Sequence, residues 1–194
     1  GGEDLGVYNN ETWSWDGVNW TQLSPATSPP IRARGRLTYD MGTGDMIYFG
    51  GRNASIALAD TWRWDGATWS QVTTANAPSS SGVAGRFAYG MTYDALRERH
   101  VLFGGTRNGP TLNDTWEFDG TSWTQIMTAS NPSARREHSM VYDSARGKVV
   151  MFGGYNGSYL NDTWEFDGFD WDRAGRISQC RREGFEPLAI DLNT

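Results

Sequence analysis

Cysteine, lysine and histidine are nearly missing from this 194-residue chain, which has one Cys (Cys180), one Lys (Lys148) and two His (His100 and His138). A single cysteine excludes an internal disulfide and leaves the redox compartment open. Two isolated histidines fall short of the three or four ligands that a metal centre needs, so no metal and no cofactor is expected. The lone lysine among 17 basic residues reads mainly as a compositional bias. Long apolar runs are missing too: none approaches the ~20 residues of a membrane span, and no signal-peptide pattern opens the sequence. Apolar residues at helical spacing are almost wholly lacking. A net charge of −6 excludes nucleic acid as the general partner, because phosphate binding asks for a basic surface.

What is plentiful is aromatic residues and glycine, with 10 Trp, 8 Tyr, 8 Phe and 24 Gly. They fall in a repeat. Trp13-Ser14-Trp15-Asp16-Gly17 leads to Trp20, Trp62-Arg63-Trp64-Asp65-Gly66 to Trp69, Trp116-Glu117-Phe118-Asp119-Gly120 to Trp123, and Trp164-Glu165-Phe166-Asp167-Gly168 to Trp171. A period of about 50 residues means one supersecondary unit stacked on copies of itself, here a propeller blade. Each full copy carries Tyr-Asp (Tyr39-Asp40, Tyr93-Asp94, Tyr142-Asp143), an apolar run and a double glycine (Gly50-Gly51, Gly104-Gly105, Gly153-Gly154). The segments ending in Tyr-Asp read as first strands. The apolar runs, without alternation, read as second strands buried on both faces. Each aromatic pair lies at i and i+2 on one face of a third strand. The adjacent Asp-Gly predicts a type I′ hairpin, and the final Trp opens a fourth strand.

These residues resemble the kelch repeats, most closely their bacterial form, whose pattern runs Tyr-Asp, apolar run, Gly-Gly, Asn-Asp-Thr-Trp-Glu-Phe-Asp-Gly, Trp. Leu112 to Gly120 and Leu160 to Gly168 match it at every position. The resemblance covers residues 1 to 171 and implies a β-propeller of four-stranded blades; it implies no activity, since such folds host unrelated functions. The expected class is all-β, with a half blade at 1–23, complete blades at 34–72, 85–126 and 135–173, and an atypical C-terminal tail at 174–194. Gly1-Gly2 stands twelve residues before Trp13, as Gly50 does before Trp62, so the sequence opens within a blade. The tail is long enough to close a ring of four blades but lacks both the Tyr-Asp turn and the apolar run. Kelch rings usually have six or seven blades, and a segment of a longer protein is therefore expected.

A catalytic reading would need ionisable residues that the repeat does not explain. Asp16, Asp65, Asp119 and Asp167 recur in every copy, as turn chemistry requires, and Asp40, Asp94 and Asp143 sit at the turns between first and second strands. Galactose oxidase shares kelch blades, but its copper site needs two tyrosines, one cross-linked to cysteine, and two histidines; Cys180 lies in the tail and no Tyr/His grouping maps to that motif. Ser14 to Trp20 lacks one residue of the sialidase Asp-box. Six Asn-x-Ser/Thr sequons, at Asn10, Asn19, Asn53, Asn113, Asn156 and Asn161, read as coincidence with the repeat.

Binding remains. In a propeller, loops joining second to third strands and fourth strands to the next blade emerge on one face, and recognition residues concentrate on such loops. Arg52, Asn53, Arg107, Asn108, Tyr155, Asn156 and Tyr159 lie in the first kind, with Arg32, Arg34, Arg36, Arg86, Arg135 and Arg136 in or just after the second. Arginine forks suit carboxylates, and Arg and Tyr are enriched at binding hot spots. The expectation is a non-enzymatic scaffold that binds a protein or peptide, favouring acidic ones, within a bacterial extracytoplasmic or surface protein. The alternatives are a segment of a kelch-bladed enzyme whose catalytic groups lie elsewhere, or a carbohydrate-binding module using Tyr155 and Tyr159. Several of these arginines recur in the repeat, where pairing with aspartate or packing on aromatics is the competing role.

Overall fold

The computed structural model describes residues 1–78, 85–107 and 109–175, and all regular structure in them is strand. Strands β1 (Gly2–Asp4) and β2 (Val7–Asn9) form one hairpin, and β3 (Thr12–Trp15) and β4 (Trp20–Leu23) another. Three four-stranded antiparallel meanders follow. The first holds β5 (Arg36–Tyr39), β6 (Met46–Phe49), β7 (Thr61–Trp64) and β8 (Trp69–Val72). The second holds β9 (Gly90–Asp94), β10 (Arg99–Phe103), β11 (Thr115–Phe118) and β12 (Trp123–Ile126). The third holds β13 (Ser139–Asp143), β14 (Lys148–Phe152), β15 (Thr163–Phe166) and β16 (Trp171–Arg173). They are blades 1, 2 and 3 of a partial propeller, and β3 and β4 are the third and fourth strands of a half blade before them. No described helix is long and apolar enough to cross a membrane.

The core lies between blades. Ile47 and Phe49 of blade 1 pack with Tyr89, Met91, Leu102, Trp116, Phe118 and Trp123 of blade 2. One step on, Val101 and Phe103 pack with Val149, Met151, Phe166 and Trp171 of blade 3. Neighbouring residues of β10 thus serve opposite seams, Leu102 backward and Val101 and Phe103 forward. This is why the second strands read as apolar without alternation. A polar latch repeats at each seam: the fourth-strand tryptophan donates its ring N–H to the third-strand threonine of the preceding blade. The pairs are Trp69 to Thr12 (2.9 Å), Trp123 to Thr61 (3.0 Å) and Trp171 to Thr115 (2.9 Å).

Two local expectations are corrected. The Asp-Gly hairpins are not two-residue type I′ turns. Trp15 pairs with Trp20 and the Asp16 N–H reaches the Asn19 carbonyl at 3.3 Å, which makes the loop four residues long. Gly17 has φ +101°, while Asp16 stays out of the left-handed region that type I′ would impose on it. The aspartate instead accepts the Val18 and Asn19 N–H groups on one oxygen, both at 2.7 Å, and Asp65, Asp119 and Asp167 repeat the arrangement. The second correction is at the start of the chain. There the loop before the third strand runs from Gly1 to Glu11, the same length as Gly50 to Asp60 in blade 1, but where blade 1 has the single Arg52–Ala57 bridge it pairs as the regular β1–β2 hairpin, turned by Leu5 and Gly6 at positive φ.

Candidate functional site

The loop face is assembled from two kinds of segment that touch in every blade. The segment entering a first strand forms an antiparallel bridge with the loop between second and third strands, and that loop bridges to its own return. The triplets are Ala33, Arg52 and Ala57 in blade 1, Phe87, Thr106 and Thr111 in blade 2, and Arg136, Tyr155 and Tyr159 in blade 3. The double glycine makes this approach possible: Gly51 sits at φ +92°, and a Cβ there would come within 2.8 Å of the Ala33 carbonyl.

Beneath this face lies a repeated anchor that the sequence reading missed. The buried Arg32 guanidinium forks onto Asp60 at 2.6 and 2.7 Å and donates to the Gly50 carbonyl at 3.1 Å. Asp60 also accepts the Trp62 ring N–H at 2.6 Å. Arg86, Asp114 and Trp116 repeat the triad in blade 2, and Arg135, Asp162 and Trp164 in blade 3. Burial pushes the Asp60 and Asp114 carboxyls up, yet the arginine and tryptophan bonds hold both below the ordinary aspartate value. The signal available in the sequence was the aspartate two residues before each third-strand Trp, with an arginine 27 or 28 residues upstream.

Arg86 is therefore corrected as a ligand residue. Its side chain is 0% exposed, with its fork spent on Asp114 and the Gly104 carbonyl. Arg32 and Arg135 are withdrawn from the loop-face arginines for the same reason. The anchors do not use the turn aspartates: Asp94 pairs with Arg97 and Asp143 with Arg146, at the other end of the sheets.

The remaining predicted residues occupy positions at which the blades differ. Arg34, Ala88 and Glu137 are equivalent, all left-handed, with φ +60°, +56° and +60°. Ala33, Phe87 and Arg136 form a second equivalent set, and Arg52, Thr106 and Tyr155 a third. Arg34 is exposed. Arg52 is half-buried, its guanidinium 5.1 Å from the centre of the Phe87 ring across the seam. Arg136 lies 5.2 Å over the Tyr155 ring, which meets Tyr159 edge-on at 5.3 Å. Arg107 is half-buried, and burial, then the neighbouring Arg86 charge, lowers its pKa. Asn53 and Asn156 use their side-chain oxygens to accept backbone N–H groups of their own turns, which gives both a structural role. Asn108 lies outside the described residues.

The two histidines are interior. His100 contacts Thr38 Oγ1 at 2.8 Å and Asp40 at 3.4 Å, across the seam between blades 1 and 2. His138 accepts the Gly90 N–H at 3.1 Å across the next. Burial above all lowers their pKa values, to about 4 and about 3. Among the described residues no group of three or more His, Cys, Asp and Glu is placed to hold a metal ion. A cleft of about 370 Å3 opens between the half blade and blade 1, walled by Trp13, Tyr48, Trp69, Glu11 and Arg34.

Repeated four-stranded meanders, joined through aromatic seams and closed by double glycines, define a kelch-type propeller segment. The chain belongs to the kelch-repeat family: a family model described as the KLHDC2/KLHL20/DRC7 Kelch-repeats domain matches residues 1–173. No match was found among curated proteins. The kelch fold supports a scaffold and protein-binding role in general terms.

Proposed function

We propose that this chain is a non-enzymatic kelch scaffold that binds a protein or peptide through its loop face, with preference for acidic segments. One observation carries the reading. Arg34, Arg52, Arg136 and Tyr155 occupy positions filled in other blades by Ala88, Thr106, Ala33 and Arg52, so the architecture does not require them. The blades are held by a different set, Arg32, Arg86 and Arg135. An arginine stacked on an aromatic ring has its fork pre-organised for a carboxylate. The fields of charges that lie within a Debye length of one another, ~8–10 Å, add, so arginines on one face favour acidic segments even on a chain of net charge −6.

The test is titration with two labelled peptides, one carrying Asp and Glu among apolar residues, the other the same sequence with Asn and Gln. The acidic peptide is expected to bind more tightly, to weaken with added salt, and to lose at least ~10-fold in affinity when Arg52 and Arg136 are both changed to Glu. Equal binding of the two peptides, or no effect of the double reversal, contradicts the reading.

A further inference from the structure

The loops between second and third strands carry an asparagine at the same place in blades 1 and 3, Asn53 after Arg52 and Asn156 after Tyr155. The two side chains are held differently. Asn53 Oδ1 accepts the Ser55 and Ile56 N–H groups, both at 2.9 Å, which fixes the amide in its turn. Asn156 Oδ1 accepts the Ser158 N–H alone, at 3.3 Å, and its Nδ2 meets Ser133 Oγ at 3.4 Å, both long for hydrogen bonds. The next residue differs too, Ala54 in blade 1 and Gly157 in blade 3. Gly157 is exposed at φ +115°, and no atom beyond its chain neighbours lies within 4 Å of the place a Cβ would take. Among the described residues its N–H has no hydrogen-bond partner.

An asparagine amide is open to attack by the main-chain nitrogen of the residue that follows it. Glycine hinders that attack least, because it has no Cβ to crowd the ring being closed and its backbone turns freely. The attack is intramolecular, so the nucleophile is always at hand. Asn156 joins a loosely held amide to a free, unhindered glycine nitrogen on the exposed tip of a loop. Asn53 has neither feature. The sequence has a second Asn-Gly pair, Asn108-Gly109, whose asparagine lies outside the described residues.

We propose that Asn156 is a site of spontaneous modification, at which the side-chain amide is lost as ammonia and a carboxylate takes its place on the loop face. The Gly157 nitrogen gives its proton to hydroxide and attacks Asn156 Cγ, closing a succinimide ring. The Cγ–Nδ2 bond then breaks, and Nδ2 takes a proton from water and leaves as ammonia, which restores the hydroxide. A second water opens the ring at one of its two carbonyls, giving aspartate or isoaspartate. The sum is asparagine plus water to an acidic residue plus ammonia, with nothing oxidised or reduced. Each modified chain gains one negative charge between Tyr155 and Tyr159, next to the ring on which Arg136 stacks. Isoaspartate also adds a main-chain carbon to the turn that the Tyr155–Tyr159 bridge closes. The modification does not depend on the acidic-peptide reading.

The test is to incubate the folded chain in buffer near neutral pH, digest samples over time and follow the peptides by mass. The peptide holding Asn156 should gain about one mass unit, and a methyltransferase specific for isoaspartate should label it. Conversion at Asn53 in the same samples should be at least ~10-fold slower, since its amide is held away from the attacking nitrogen. Raising the pH should quicken the reaction at Asn156, because the glycine nitrogen must lose its proton. Gly157→Ala should slow it at least ~10-fold by crowding the ring that closes. Three results overturn the proposal: Asn156 intact when the free peptide spanning Gly154 to Tyr159 has fully converted, equal rates at Asn53 and Asn156, or a rate unchanged in Gly157→Ala.

Discussion

At the scale of single residues, the buried polar side chains act by pairing, and their protonation states follow. The Nε2 atom of His138 accepts the Gly90 N–H, which an imidazolium cannot do, and His100 is enclosed among Thr38, Asp40 and Tyr93. Both folded pKa values lie below the ordinary 6.5, so between about 6.5 and about 4 the unfolded chain binds more protons than the folded one. Stability is therefore present in full above pH 6.5 and is lost as pH falls, by up to ~1.4 kcal/mol per pH unit for each histidine. Urea midpoints measured from pH 7.5 to 4.5 should decline below about 6.5, and a flat profile would contradict the burial of both rings. Gly35 is a second case. It stands where blades 2 and 3 place Tyr89 and His138, and the Tyr48 ring leans into the space that a Cβ there would need. Gly35→Tyr should therefore destabilise by roughly 1–3 kcal/mol through overpacking, although the same residue is at home one blade later; thermal unfolding checks it.

At the scale of strands and turns, the repeat was legible because each strand has its own composition. Apolar runs, aromatic pairs and Tyr-Asp ends gave every strand of the three blades. The β1–β2 hairpin was not legible, because Glu3 and Asp4 carry no strand-like alternation and the pairing is set by Leu5 and Gly6 in the left-handed region. The turn type was misjudged for a similar reason: Asp-Gly is compatible with two geometries, and the aspartate side chain selects the four-residue loop by accepting two N–H groups. Asp119→Ala should cost about 1 kcal/mol by leaving the Thr121 and Ser122 N–H groups to water, with far-ultraviolet circular dichroism unchanged. The latch tryptophans matter more. Trp123 is wholly buried and joins blade 2 to Thr61 of blade 1, so Trp123→Ala should cost about 3–5 kcal/mol in urea unfolding, and Trp123→Phe, which keeps most of the ring, distinctly less.

At the scale of the whole molecule, one loop face carries arginines of two kinds. Arg32, Arg86 and Arg135 look in the sequence like Arg34, Arg52 and Arg136, since all precede or follow strands in the same loops. What separates them is a carboxylate 27 or 28 residues away, a contact that strand periodicity cannot reveal. The sequence thus places all six arginines in the same loops without separating the three that are spent in buried pairs. Separating them requires the contact with Asp60, Asp114 or Asp162, which only the folded blade brings about. Removing an anchor leaves a buried carboxylate and a tryptophan N–H without their partner, and broken buried pairs of this kind cost about 3–5 kcal/mol. Removing a presenting arginine loses a stacking contact worth about 1 kcal/mol and, at Arg52 and Arg136, a hydrogen bond to the neighbouring Asn53 carbonyl or a 4.0 Å surface ion pair with Glu137, neither of which adds much. The division is tested most directly by the unfolding free energies of six variants, each of these arginines changed to alanine in turn. Loss of about 3–5 kcal/mol for Arg32→Ala, Arg86→Ala and Arg135→Ala, with no more than about 1 kcal/mol for Arg34→Ala, Arg52→Ala and Arg136→Ala, is the predicted result. Similar losses across all six would contradict it.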